Sequence, residues 1–305
     1  MRKFVPTCIA IGLAAGVLDA CPIPVYQYAL EHWDTDPYVV TVSHDGTLPD
    51  DAQAALERLR QAADDASANL ELRERAAADG PAVPQLEVRY PAIARIRAPV
   101  WEGPLTADTV AALLHSPVRT RLTDALIART SAVWLLLESG NRSADRDAER
   151  LLREQLAQLE TAIMVPESAD WGGETVTIDH NVNFKLMTLR RDDPAEQMLV
   201  RMLLASEADL DDYRDQPIVF PIYGRGLMLY ALIGRGINGW TLKTAAEFLT
   251  GPCSCQIKAA NPGTDLLTDA DWTGSITPLS PAAVGTTTGA GSFLRHLDEA
   301  AAEEP

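Results

Sequence analysis

The chain has 305 residues, a formal net charge of -17, 47% hydrophobic residues and 23% charged residues. Its length allows two domains of ordinary size, and its balance of residues excludes wholesale disorder. The acidic surplus argues against nucleic acid and anionic lipid as partners, because phosphate binding needs clustered Lys and Arg.

The first segment reads as a secretory signal. Arg2 and Lys3 supply a charged start, Ile9 to Val17 a short apolar stretch, and Ala20 a small residue before Cys21. The stretch is shorter than the roughly 20 residues that span a membrane, and no later segment qualifies as a span. Export is therefore the expected address. Leu18-Asp19-Ala20-Cys21 also resembles the lipobox of bacterial lipoproteins, in which the cysteine is lipidated and becomes the mature N-terminus. Asp19 departs from that pattern, which takes a small uncharged residue there. Two ends of the signal stay open: a lipid anchor on Cys21, the one route to a membrane, or release into the periplasm.

After Cys21, Val25, Tyr28, Ala29 and Trp33 recur at helical spacing behind Pro22 and Pro24. Tyr38 to Val42 reads as a strand bounded by Asp36-Pro37 and Asp45-Gly46. From Asp50 to Asp79 the Ala, Leu, Glu and Arg composition predicts one helix, stopped by Gly80-Pro81. Gln85 to Tyr90 alternates as a strand, and a second strand follows near Val100-Trp101. Thr106 is placed to cap a helix with Val110, Leu113 and Leu114 on its apolar face. Another helix follows Ser116-Pro117 and runs to Ala128.

Ala132 to Leu137 is continuous and apolar, as expected of a strand covered on both faces. A helix is predicted over 143–160, a strand over 184–189, a helix over 195–206 and a strand over 218–222. Met228 to Ile233 is placed to pair with that last strand, and Trp240 to Leu249 closes the series as a helix. The Ser, Thr, Gly and Pro content of residues 273–291 reads as a linker, with a polar helix over 292–304. Alternation of strand and helix predicts an α/β fold of three layers, α/β/α. A faint echo between QLEVRY…VAALL and PIVFPIY…AAEFL, in order rather than identity, points to two tandem units.

The order strand, helix, strand, helix, two strands, helix over 132–249 resembles a thioredoxin-like unit. Residues 21–114 resemble a second unit whose first strand is missing. Between the signal peptide at 1–20 and the linker and short helix at 273–305, the resemblance implies a first, incomplete unit at 21–130 and a second, with the CSC loop, at 131–272. Thioredoxins open their first helix with C-x-x-C, where the helix N-terminus lowers a thiol pKa. Here Cys21-Pro22-Ile23-Pro24 keeps only the first cysteine, and Ser139-Gly140-Asn141-Arg142 has none. CPIPVYQYALEHW and GPCSCQIKAANPGTDLL are further similar to stretches of exported bacterial proteins of a family without an assigned function.

Cys253-Ser254-Cys255, in a turn flanked by Gly251 and Pro252, is the sharpest local feature. Cys253 and Cys255, with Cys21, are candidates for a structural disulfide, for thiol exchange through a strained C-x-C ring, or for thiolate binding of Cu(I) or Zn(II). Cys8 leaves with the signal, so three cysteines remain. Either Cys21 is lipidated and the other two pair, or one thiol stays unpaired. His32, His44, His115, His180 and His296 form no metal spacing, and no cofactor or metal is expected. Gly224-Arg225-Gly226 and Gly234-Arg235-Gly236 read as strand turns or as small anion sites. Asp265, Asp269 and Asp271 read as a solvated loop, and no G-x-S-x-G elbow is present.

The expected function is that of a non-catalytic, thioredoxin-like binding or accessory protein of the cell envelope, with an envelope protein as partner. The alternative is a thiol-disulfide protein using Cys253 and Cys255, with or without Cys21.

Overall fold

Val133, Leu135 and Leu137 point to one side of their strand and Ala132, Trp134 and Leu136 to the other, all fully buried. A strand buried on both faces needs a layer on each side, and it organises the rest of the chain. The computed structural model describes residues 21–280, except 47, 66, 78, 172 and 254–256. The signal segment with Cys8, the expected helix over 292–304 and Cys255 lie outside the described residues.

The chain begins with helix α1 (Val25–His32), then β1 (Tyr38–His44), α2 (Asp50–Asp64), β2 (Leu70–Ala76), β3 (Gln85–Arg89) and β4 (Trp101–Pro104). Helices α3 (Ala107–Leu114) and α4 (Pro117–Ile127) follow. Thr106 and Ser116 cap them by accepting the N–H groups of Thr109 and Arg119. Then come β5 (Ala132–Glu138), α5 (Arg142–Ala162), the hairpin β6 (Ser168–Trp171) and β7 (Glu174–Thr177), β8 (Phe184–Arg190) and α6 (Gln197–Leu204). Strand β9 (Ile218–Tyr223) is followed by β10 (Leu227–Met228), β11 (Leu232–Ile233), α7 (Gly239–Thr250) and β12 (Thr264–Asp265). Asn238 and Thr241 cap α7 reciprocally.

The first sheet has the order β2-β1-β3-β4, with β1 parallel to β2 and both other pairings antiparallel. The second runs β12-β10-β9-β5-β8, with β5 parallel to β8 and antiparallel to β9, and with β11 also on β9. Its members β8-β5-β9-β10 repeat the order and the sense of the first sheet. In both, a helix joins the parallel pair: α2 between β1 and β2, α5 between β5 and β8. The second sheet also has α6 between β8 and β9, whereas no described residue between β2 and β3 is helical. Among the described residues no helix covers the other face of the first sheet, where Glu71, Arg73, Arg75 and Glu102 are exposed, as a sheet with one wet face requires.

One continuous core runs from Tyr38, Val40 and Val42 through α2, α3, α4 and α6 to Val133, Leu135 and Leu137. The opposite face of the second sheet packs Trp134 and Leu136 under α1, α5 and α7. Helix α5 supplies Ala148, Leu152, Leu156 and Leu159, spaced along one face at helical period.

Three expectations need correction. The helix expected over Asp50 to Asp79 ends at Asp64, and LELRERA forms β2 instead. Helix-favouring composition yields there to seven residues of pairing with β1 and to the burial of Leu70. The helix after Cys21 does not serve the first sheet: α1 packs on α7 and β9, so the first sheet starts with β1 and lacks no strand. Residues 276–280 are also tied down rather than loose. Ser280 donates its N–H and hydroxyl to buried Glu31, and Arg129 donates to the Thr277 carbonyl at 2.6 Å.

Candidate functional site

The turn between β5 and α5 stands at the C-terminal ends of the parallel strands, where open α/β sheets place their ligands. Gly140 has φ +88°, a conformation that favours glycine. Asp145, in the first turn of α5, reaches back into this turn. Its Oδ1 accepts the Ser139 N–H at 2.8 Å and the Ser139 hydroxyl at 2.7 Å, and its Oδ2 accepts the Gly140 N–H at 3.0 Å. Asn141 accepts the N–H groups of Ser143 and Ala144. The N–H groups of Ser139, Gly140, Ser143 and Ala144 are thus taken up by this chain's own side chains.

Beside the turn lies a recess of about 580 Å³ lined by Glu138, Arg142, Arg146 and Arg190 among others. Burial, with the negative charges of Asp145 and Glu149, holds the Glu138 carboxyl above the usual carboxylate range. Arg191 lines this recess and also a larger cleft of about 780 Å³. It donates Nε–H to the Glu138 carbonyl at 2.9 Å and Nη2–H to the Gln216 carbonyl at 2.9 Å, while Nη1 is buried without a hydrogen-bond partner. The larger cleft lies between residues 95–100, which connect β3 to β4, and α6 with the segment after it. Arg95, Arg97, Arg201 and Arg214 line it with Arg191. Arg95 has φ 58°, unusual for a residue with a side chain. No sequence motif marked this cleft; the local signals were Arg95-x-Arg97 and Arg190-Arg191, whose convergence depends on the fold.

The candidate cysteines lie elsewhere. Pro24 and Pro252 form an antiparallel bridge, the Cys253 N–H donates to the Ile23 carbonyl at 2.8 Å, and the Val25 N–H donates to the Gly251 carbonyl at 3.0 Å. This ladder brings Cys21 and Cys253 into one buried cluster, and no disulfide joins the two. Cys21 is 2% exposed, and burial pushes its thiol up, against a smaller opposing effect of the Ile23 backbone N–H. A buried thiol with a raised pKa is a poor nucleophile. No cluster of three or more His, Cys, Asp or Glu side chains arranged for a metal occurs among the described residues.

Gly224–Gly226 is the turn between β9 and β10, whereas Gly234–Gly236 forms a short 3-10 helix between β11 and α7 rather than a strand turn. Arg225 donates Nε–H to the Leu30 carbonyl at 2.9 Å and pairs with Asp34 at 2.7 Å, capping the C-terminus of α1. Asp265 belongs to no solvated loop. It is buried in β12, with its Oδ2 2.5 Å from Lys258 Nζ and accepting the Asp36 N–H at 3.0 Å. Burial nevertheless pushes its carboxyl up to about 6, against the pull of Lys258.

No protein-family model, no curated protein and no solved structure gives a significant match to the chain.

Proposed function

We propose that the chain is an exported, non-catalytic binding or accessory protein of the cell envelope, built of two thioredoxin-like units. The repeated order β2-β1-β3-β4 and β8-β5-β9-β10, each with one parallel and two antiparallel pairings, supports the two units. Export is read from the charged start, the short apolar stretch and the small residue before Cys21 in residues 1–20. The observation that carries the non-catalytic reading is Asp145, which fills the turn where a thioredoxin holds its reactive thiol. Burial of Cys21 favours release over anchoring, because a lipid on its sulfur would have to pull residues 21–24 away from Gly251–Cys253.

Thiol exchange through Cys253 and Cys255 is the second reading, favoured by the ladder that brings Cys21 and Cys253 into one cluster. Mass spectrometry of the native protein recovered from the envelope fraction tests the proposal. The expected N-terminal peptide begins at or near Cys21 with no lipid mass. An intact residue 1–20 segment in a cytoplasmic protein contradicts export, and a lipid on Cys21 contradicts release.

A further inference from the structure

The molecule carries 43 acidic residues against 26 basic ones, yet five arginines converge on a single cleft of about 780 Å³. Only two acids line it, and both are engaged: Glu207 accepts the Ala231 N–H at 3.0 Å, and Asp211 pairs with Arg214 at 2.9 Å. Arg95, Arg97, Arg191 and Arg201 have no carboxylate partner among the described residues. Some arginines elsewhere are matched to acids, as Arg129 is to Glu31 at 3.0 Å and Arg60 to Glu74 at 2.7 Å, so what sets the cleft apart is the convergence of its arginines on one cavity. Arg191 is held by backbone carbonyls, which fix its guanidinium plane without cancelling its charge. Its Nε–H and Nη2–H groups are spent on those carbonyls, and Nη1, which has no hydrogen-bond partner, is the donor left for an anionic oxygen. Its field acts at short range, since charges on the far surface are screened beyond about 8 Å at physiological ionic strength.

The cleft is not polar throughout. Ile96, Pro99, Val200 and Leu204 supply apolar wall, and the volume lies within the range of about 300–1,000 Å³ typical of small-molecule sites. We propose that this cleft binds a small organic dianion, with its phosphate or paired carboxylates held by Arg191, Arg201 and the arginines at 95 and 97. The apolar body of the ligand lies against Ile96, Pro99, Val200 and Leu204. Residues 95–100 belong to the first unit and α6 to the second, so the ligand bridges the two. The site does not depend on the export reading.

Calorimetric titration of the full chain with 1-naphthyl phosphate, phthalate and 1-naphthol tests it. The expected result is saturable binding of one or both dianions, weakened by added salt, with none for neutral 1-naphthol. Binding of the phosphate alone assigns the phosphate-ester class, and binding of phthalate alone assigns dicarboxylates. R191Q and R201Q are expected to weaken binding about tenfold each, as loss of a charge-assisted pair requires. Arg201 is exposed on α6, so R201Q keeps the test valid if R191Q fails to fold. Failure of both dianions to saturate, equal binding of 1-naphthol, or unchanged affinity in R201Q would overturn the proposal.

Discussion

Asp145 accepts three hydrogen bonds from Ser139 and Gly140, two through Oδ1 and one through Oδ2, so the start of α5 is tied to the end of β5 by one buried carboxylate. Asp145→Ala leaves two backbone N–H groups and a hydroxyl without their acceptor, at a cost of about 1–3 kcal/mol. Urea unfolding of the two proteins measures the loss. Equal midpoints would mean that water replaces the carboxylate without cost.

Gly224 packs against α1 with φ +57°, and a Cβ added there would lie 2.7 Å from the Ala29 Cβ. Gly224→Ala is therefore expected to destabilise the fold by about 1–3 kcal/mol, through strain and through displacement of α1. A thermal melt gives the result, and an unchanged midpoint would show that the β9–β10 turn shifts freely.

Asp265 gives the fold a pH dependence of definite sign. Its folded pKa, pushed up to about 6, lies above the unfolded value, so the folded state binds more protons between the two. Its contribution is fully present below the unfolded pKa and is lost as pH rises through about 6. Stability measured from pH 4.5 to 7.5 is expected to fall more steeply in the native protein than in Asp265→Asn. Parallel curves for the two would show that Lys258 and the Asp36 N–H hold the carboxylate ionised throughout.

Cys21 is expected to resist alkylation by iodoacetamide in the folded protein and to react fully in guanidinium, because its thiol is buried and its pKa is raised. Peptide mass mapping separates this site from Cys253 and Cys255. Fast native labelling of Cys21 would mean that residues 21–24 leave their ladder readily.

The parts of the fold legible in the sequence were those whose signal is local. AVWLLL announces a strand covered on both faces, and Thr106, which accepts the Thr109 N–H at 3.1 Å, announces its helix. LELRERA was illegible because its residues favour helix, and only the neighbouring β1 makes it a strand. The assignment of α1 failed for a related reason: its spacing reveals a helix but not which sheet it covers. The absence of cysteine from Ser139–Arg142 could be read directly, whereas Asp145 as the group that closes the turn could not. The arginine cleft collects residues from 95 to 214, and nothing in their spacing shows that they meet. Asp265 looked solvated in an Asp-rich stretch, because the lysine that allows its burial enters only with the fold.

Turnover of insulin disulfides with dithiothreitol tests most directly whether the β5–α5 turn is a thioredoxin-type site lacking its thiols. The native chain is expected to be no faster than dithiothreitol alone. The double substitution Ser139→Cys and Arg142→Cys restores C-x-x-C spacing at the start of α5 and is expected to raise the rate above that background. Turnover by the native protein that disappears in Cys253→Ser would contradict the account.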